Sequence, residues 1–441
     1  MNVIGALILA VVLGVVFFAQ RRWAVIGFMG GVLYLTQGQQ VEIFGVSMFA
    51  IRFVELAAFI RVMLRREFTF SNLTRIDKLL LLLFAYTTVV FLLRSDVGWM
   101  NQIGAAIDAY LCYFSFRGLA GGVENFRWFL RKFLLLLVPY VVLILYESVF
   151  QHNLFQSMGG FFSEEWVRDG RTRCQGSFRN ASLLGSIFAS FLPLYLGLWF
   201  SKIDRKMSVL GIGLCLLIVW SSNSGGPASA VAVAMLGWAF WKLRTKMKFV
   251  RRSAVAGFIA MAVIMNAPVW YIIAKVSSVT GGAGWHRAHL LDMAFQHLDR
   301  WWLSGMPMTD TADWFPYVLS ITGGADITNQ FLAFGISAGL LASLLFCAML
   351  IQAYKKIGQS LAIVRSRNDG RDVTEPILWG LGVMLTVHCT NWLGITYFDQ
   401  SYVIWYFDLA VINNLTESCL AAAKVEEEEV NSLLGSTGQA A

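Results

Sequence analysis

Apolar runs long enough to cross a hydrocarbon layer as helices, which takes about 17–25 residues, recur from one end of this chain to the other. They lie near 3–19, 23–37, 44–63, 78–94, 102–118, 130–150, 181–200, 206–222, 226–242, 253–274, 329–353, 376–394 and 401–416. The expected fold is therefore all-α: a polytopic integral membrane protein of about 12–13 transmembrane helices, one membrane domain over residues 1–441. Composition agrees, because only 14% of residues are charged where a soluble chain carries about a quarter. The first run is followed by Arg21 and Arg22. A cleavable signal places its charges before the apolar run, so this run reads as a first membrane helix.

The net charge of +8 comes from basic residues in short connections, where orientation signals belong, so the implied partner is a lipid bilayer and not a nucleic acid. Clusters occur at Arg21 and Arg22 and within 61–78, 117–132, 202–206, 242–252 and 355–371. They fall at every second connection, which makes that side cytoplasmic. Two connections on the opposite side are long, 151–180 and 275–328. Both are expected to face outward, which is the periplasm in a bacterium, and to contain short amphipathic helices. The tail 417–441, with four glutamates at 426–429, reads as a solvated, mobile cytoplasmic end. The six cysteines show no disulfide or metal spacing.

Chemistry-bearing side chains concentrate in the two long loops. Four of the five histidines are there (His152, His286, His289 and His297), together with Arg168, Arg171, Arg173, Arg179, Arg287 and Arg300. GRTRCQGSFRN places three arginines in nine residues without an acid. Their planar donor forks suit phosphate oxygens; a solvated loop, or pairing with Glu164, Glu165 and Asp169, accounts for them equally well. In WHRAHLLDMAFQHLDRWW, Leu290, Leu291, Ala294 and Leu298 share one helical face and His289, Asp292, Gln296 and Asp299 the other. That pattern predicts an amphipathic helix lying at the membrane surface. The histidine spacing matches no metal motif.

Within the apolar runs stand Arg52, Glu55, Asp108, Glu147 and Asp408. Such groups usually line a cavity or pair with one another, so Arg52 either extends a polar site inward or ties helices together through Asp108 or Glu55. GISAG, at 335–339, matches G-x-S-x-G, but it sits in an apolar helix and not at a strand-to-helix turn. Close helix packing by small residues explains it better than a serine nucleophile using Ser337 and His388.

The order of parts resembles the O-antigen ligase and O-antigen polymerase superfamily of bacterial envelope enzymes. The resemblance rests on R-x-Q-G-S-F-x-N-A-S-L-L-G at 173–185, SSNSGG at 221–226, Arg287 followed by an apolar helix ending in WWLSGMP, and D-x-T-N-Q-F-L from Asp326. It implies a multi-span glycosyltransferase of the inner membrane that uses neither a metal nor a nucleotide sugar. Its donor would be a glycan on undecaprenyl pyrophosphate, with a chain-length regulator as a protein partner. Arg173 and Arg287 would hold the pyrophosphate, with Arg171 and Arg179 beside them. Ligases of the superfamily carry a histidine where this chain has Asp326, which favours a polymerase, the ligase being the alternative. Asp326 is then the first candidate for the general base, followed by His286 and His289, with Asn329 orienting Asp326 or the sugar. A transporter or flippase for a lipid-linked glycan is the rival class. It would place its charges at midplane on related halves, and no such halves are evident here.

Overall fold

Proline, glycine and charge decide where the apolar runs become helices. The structure, a computed structural model, describes residues 1–43, 46–94, 98–160, 167–280, 284–315, 320, 323–367 and 373–438. In chain order the helices are α1 (Val3–Phe18), α2 (Arg21–Tyr34), α3 (Ala50–Leu64), α4 (Arg75–Arg94), α5 (Trp99–Leu119), α6 (Val123–Phe150), α7 (Ala181–Phe200), α8 (Arg205–Ser221), α9 (Gly225–Ala239), α10 (Met247–Ile264), α11 (Ile272–Thr280), α12 (Gly284–Gln296), α13 (Leu298–Trp301), α14 (Gln330–Ala338), α15 (Leu340–Ser366), α16 (Thr374–Trp392) and α17 (Gln400–Gly438). Two antiparallel hairpins, β1 (Gln40–Ile43) with β2 (Val46–Phe49) and β3 (Val167–Arg168) with β4 (Arg171–Thr172), are the only sheet among the described residues. The molecule is an all-α polytopic membrane protein. Among the described residues α4, α6, α7 and α15 are long and apolar enough to cross a bilayer alone, and residues 225–264, bent by 101° into 269–277, make a further candidate.

Several boundaries depart from the sequence expectation for local reasons. The run near 44–63 opens with the β1–β2 hairpin and becomes helical only at Ala50. The run near 253–274 breaks at Ile264, just before Asn266, Ala267 and Pro268; a proline lacks the N–H a helix needs and pushes its predecessor out of the helical region. The run near 329–353 is two helices, α14 and α15, parted at Gly339, whose φ is +86°. The acidic tail does not come loose at 417. Glutamates are good helix formers, and α17 continues to Gly438, with Glu426 accepting Arg367 at 2.9 Å. Residues 439–441 lie outside the described residues.

α7 is the buried centre of the bundle, packed against α8, α9 and α16. Around it the helix ends sort by charge. At one end Arg61 donates to Val16 O at 2.6 Å, Arg117 pairs with Asp77 at 3.0 Å, and Arg127 pairs with Asp204 at 3.0 Å. There too Arg244 and Arg365 share Glu375 at 3.1 and 2.7 Å. The opposite end is stitched by side chain to backbone contacts: Gln400 Nε2 donates to Leu35 O at 3.1 Å and Ser177 O at 2.9 Å, and Asn391 Nδ2 donates to Ser186 O at 3.0 Å. The described residues of both long loops belong to this second end. The 275–328 loop builds a small core of its own, in which Leu290, Ala294, Trp301, Met306, Trp314, Ala325 and Ile327 pack with Leu332 and Ile336 of α14.

Candidate functional site

Asp326 stands in an extended stretch between Ala325 and Ile327, both buried in the small core. Successive side chains of extended backbone point to opposite sides, so Asp326 is turned out of that core. It is not the cap of α14. That place is taken by Asn329, whose side chain accepts the Leu332 N–H at 3.0 Å. The neighbour beyond Asn329 is also committed, because Gln330 Oε1 accepts the Tyr397 N–H at 2.8 Å.

Asp326 instead shares its surroundings with two residues of α12. Crowding by protein pushes its carboxyl above the usual carboxylate range, against the pull of His286 and Arg287. The side chain still reaches solvent, so the shift reflects a crowded mouth and not a sealed interior. Burial lowers the His286 imidazole, Asp326 raises it, and Arg287 and His289 add to the lowering. Its ring stacks on Phe315 at 4.2 Å, and its Nε2 is buried without a hydrogen-bond partner among the described residues. Burial also pushes Arg287 down, as does the charge of Arg168, while Asp326 opposes them. The guanidinium lies against Gly394 in the α16–α17 connection, where a Cβ would sit 3.0 Å from Arg287 Cζ. A larger residue there would have to push the guanidinium aside.

The amphipathic segment is helical in two pieces, broken at His297. Ala288, Leu290 and Ala294 face the core, whereas Leu298, expected on the same face, is 37% exposed because the helix ends before it. His289 stacks on Trp285 at 4.9 Å, and its Nε2 lies 3.1 Å from Trp314 O. The carbonyl can only accept, so Nε2 carries the proton in that bond and Nδ1 is left as the nitrogen able to take one. Asp292 accepts Trp270 Nε1 at 2.6 Å and the Tyr271 hydroxyl.

The first loop is fixed by a carboxylate that composition alone flagged as an intramembrane charge. Glu147, at the end of α6, accepts the N–H groups of Gln175 and Gly176, each at 2.9 Å. Cys174 N–H donates to Ser221 O at 3.0 Å, and Asn223 Nδ2 to Arg168 O at 2.9 Å. The β3–β4 hairpin is thereby docked on the turn between α8 and α9. Arg173 is buried and donates to Ser182 Oγ at 3.2 Å, which meets Ser224 Oγ at 2.8 Å. Arg171 lies over the Trp220 ring at 4.3 Å and donates to Trp220 O at 3.3 Å. Arg179 pairs with Asp399 at 2.7 Å. Glu164 and Glu165, weighed as partners for these arginines, lie outside the described residues.

Arg52 is placed elsewhere, in a two-pronged pair with Asp108 at 2.9 Å that Tyr402 joins through its hydroxyl at 3.3 Å. Arg52 and Asp108 thus tie α3 to α5, with α17 joining through Tyr402. Ser337 and His388 form no catalytic pair: His388 Nδ1 lies 2.9 Å from the Tyr397 hydroxyl and its Nε2 lies 2.9 Å from Asp408 Oδ2, so both ring nitrogens are engaged elsewhere.

The structure thus gathers Arg287, Asp326 and His286, adds Arg168, and sets Arg171, Arg179 and the buried Arg173 in the first loop. Sequence reasoning did not select Arg168, Gly394, Asp399, Ser182 or Ser224. Arg168 and Asp399 left no motif to follow, and the two serines lay inside quoted motifs without being given a role. Among the described residues no three His, Cys, Asp or Glu side chains come together in a way that could hold a metal ion. No protein-family model matches this chain, and comparison with curated proteins finds no relative, so its chemistry has to be argued from this arrangement.

Proposed function

We propose that the protein is a polysaccharide polymerase of the bacterial inner membrane. It transfers a glycan from undecaprenyl pyrophosphate to the non-reducing end of a second lipid-linked repeat at the periplasmic face. The observation that carries the reading is Arg287, under the field of Arg168, beside Asp326 at one end of an apolar bundle. Guanidiniums gathered in this way favour a polyanion, and a pyrophosphate at a membrane surface is such a group. In the transfer the bond from the sugar C1 to the pyrophosphate oxygen breaks, and the pair of electrons leaves with undecaprenyl pyrophosphate. A hydroxyl of the acceptor repeat forms the new bond to C1, and its proton passes to Asp326. Arginines fixed before the reaction stabilise the charge as it develops on the leaving oxygen, and a carboxylate within reach serves as the base.

Orientation follows from charge: the end rich in arginine and lysine is cytoplasmic and the Arg287 end periplasmic. The finer topology we favour has about 12–13 crossings, the shorter apolar helices counting with the long ones. A flippase or transporter would need its intramembrane charges free to meet cargo, and Arg52 and Asp108 are committed to each other. In the test, polymer output is read by gel from cells expressing Asp326→Ala, Arg287→Ala or Arg173→Ala at matched levels. Asp326→Ala and Arg287→Ala are expected to lower output about 100-fold or more, the scale of one lost base or charge stabiliser. Full output from Asp326→Ala removes the base assignment, and full output from both arginine variants removes the site.

A further inference from the structure

The end of the bundle opposite Arg287 carries a second polar recess. α4 starts there at Arg75 and finishes on the site side, where Arg94 donates to Ser304 O at 2.9 Å and Ser337 O at 3.1 Å. α15 runs the other way, from Leu340 beside the site to Ser366. At 1.5 Å per residue Lys356 lies about 24 Å along it, near the depth of a hydrocarbon layer of about 30 Å. At that level a cleft of about 560 Å³ opens between α4 and α15, lined by Arg75, Gln352, Lys355, Lys356, Gln359 and Glu417 among others.

The charge of this cleft is unbalanced. Lys356 is buried and donates to Asn413 Oδ1 at 3.1 Å and to Glu417, so the acid among those lining residues is already paired. Asp77, two residues along α4, faces away to Arg117 and Tyr113. Arg75 and Lys355 are exposed. The cleft also lies at the foot of two lipid-facing stripes. On α4, Leu82, Val89 and Leu93 are exposed above Lys78 and Arg75; on α15, Leu341, Leu344 and Ile351 are exposed above Lys355. These residues recur at helical spacing, so each stripe is one face, apolar until it reaches the cleft and basic there. Basic pockets between membrane helices on the positively charged side suit anionic headgroups.

We propose that the cleft binds the phosphate-bearing headgroup of an anionic phospholipid, with the acyl chains along the stripes of α4 and α15. Arg75 and Lys355 meet the phosphate, the side-chain amides of Gln352 and Gln359 meet the polar remainder of the headgroup, and the Lys356–Glu417 pair forms the wall behind them. Free phosphate shares the chemistry but cannot use the stripes. The test uses purified full-length protein in neutral detergent, titrated with phosphatidylglycerol, phosphatidylcholine or inorganic phosphate, with bound lipid counted by native mass spectrometry. Phosphatidylglycerol should bind at least about ten-fold more tightly than phosphatidylcholine. The double variant Arg75→Ala, Lys355→Ala should lose roughly 10- to 30-fold of that affinity, the worth of two cations near a charged surface. Both side chains are exposed, and equal melting temperatures in phosphatidylcholine will show that the variant is folded. Equal retention of the two lipids, unchanged affinity in the double variant, or inorganic phosphate binding as tightly as phosphatidylglycerol would each overturn the proposal.

Discussion

At the scale of single residues, what separates a working charge from a structural one is what already satisfies it. Arg52 is satisfied. Its removal leaves the buried Asp108 without a countercharge, and breaking a buried pair from one side costs about 3–5 kcal/mol. Arg52→Ala should therefore lower the unfolding temperature of the purified protein, with the donor KM of the folded fraction unchanged; a raised KM at normal stability would place Arg52 in the substrate site. Asp326 and His286 are shifted toward each other. Crowding holds the carboxyl above its ordinary value of 3.8 and burial holds the imidazole below its ordinary 6.5. Whichever accepts the proton is active when deprotonated, so kcat/KM should rise with pH through a limb lying between those two values, since that ratio reports the free enzyme's groups. A limb above the ordinary histidine value would contradict the assignment, and Asp326→Asn should remove the limb along with the activity.

At the scale of elements, the joint between α14 and α15 sets the site. Gly339 adopts φ +86° and ψ 169°, a region open essentially to glycine and worth about 1–3 kcal/mol when forced on other residues. A Cβ there would sit 2.3 Å from Leu303 O. The break lets Leu340 N–H donate to Trp302 O and Met306 N–H to Ile336 O, both at 2.8 Å, which docks the second loop on the bundle. Gly339→Ala should destabilise by roughly 3 kcal/mol and expose the second loop to protease, whereas Gly358→Ala, with open space around it, should be neutral or slightly stabilising. Equal protease resistance of the two variants would show that the joint does not hold the loop. This element was half legible in the sequence. GISAG announced close packing by small residues, and the structure uses Gly335 and Gly339 that way, with Trp301 and Leu303 against them. What could not be read was the break itself, because a glycine inside an apolar run looks the same whether the helix continues or turns. The hairpin at 40–49 was hidden for a similar reason: short apolar runs fit strand and helix alike.

At the scale of the whole molecule, the chain's apolar periodicity and its basic clusters made the helical bundle and its two unlike ends legible, since both follow from solvation alone. The site was legible in part. Arg287, Asp326 and His286 were named because polar residues in long loops stand out in an apolar chain. Arg168 stood out among the loop arginines but was given no role, and Gly394 was not singled out, because they join the group only through the docking of the first loop and the path of the α16–α17 connection. The central claim is that this end of the molecule transfers a glycan from a polyprenyl pyrophosphate. The direct test is to incubate the purified protein with a polyprenyl-pyrophosphate-linked repeat unit and resolve the products by length. The account predicts a ladder of repeats with release of polyprenyl pyrophosphate, lost in Arg287→Ala without loss of fold. A ladder of the same yield from folded Arg287→Ala protein, or no product from the wild type with any carrier-linked repeat, would contradict it.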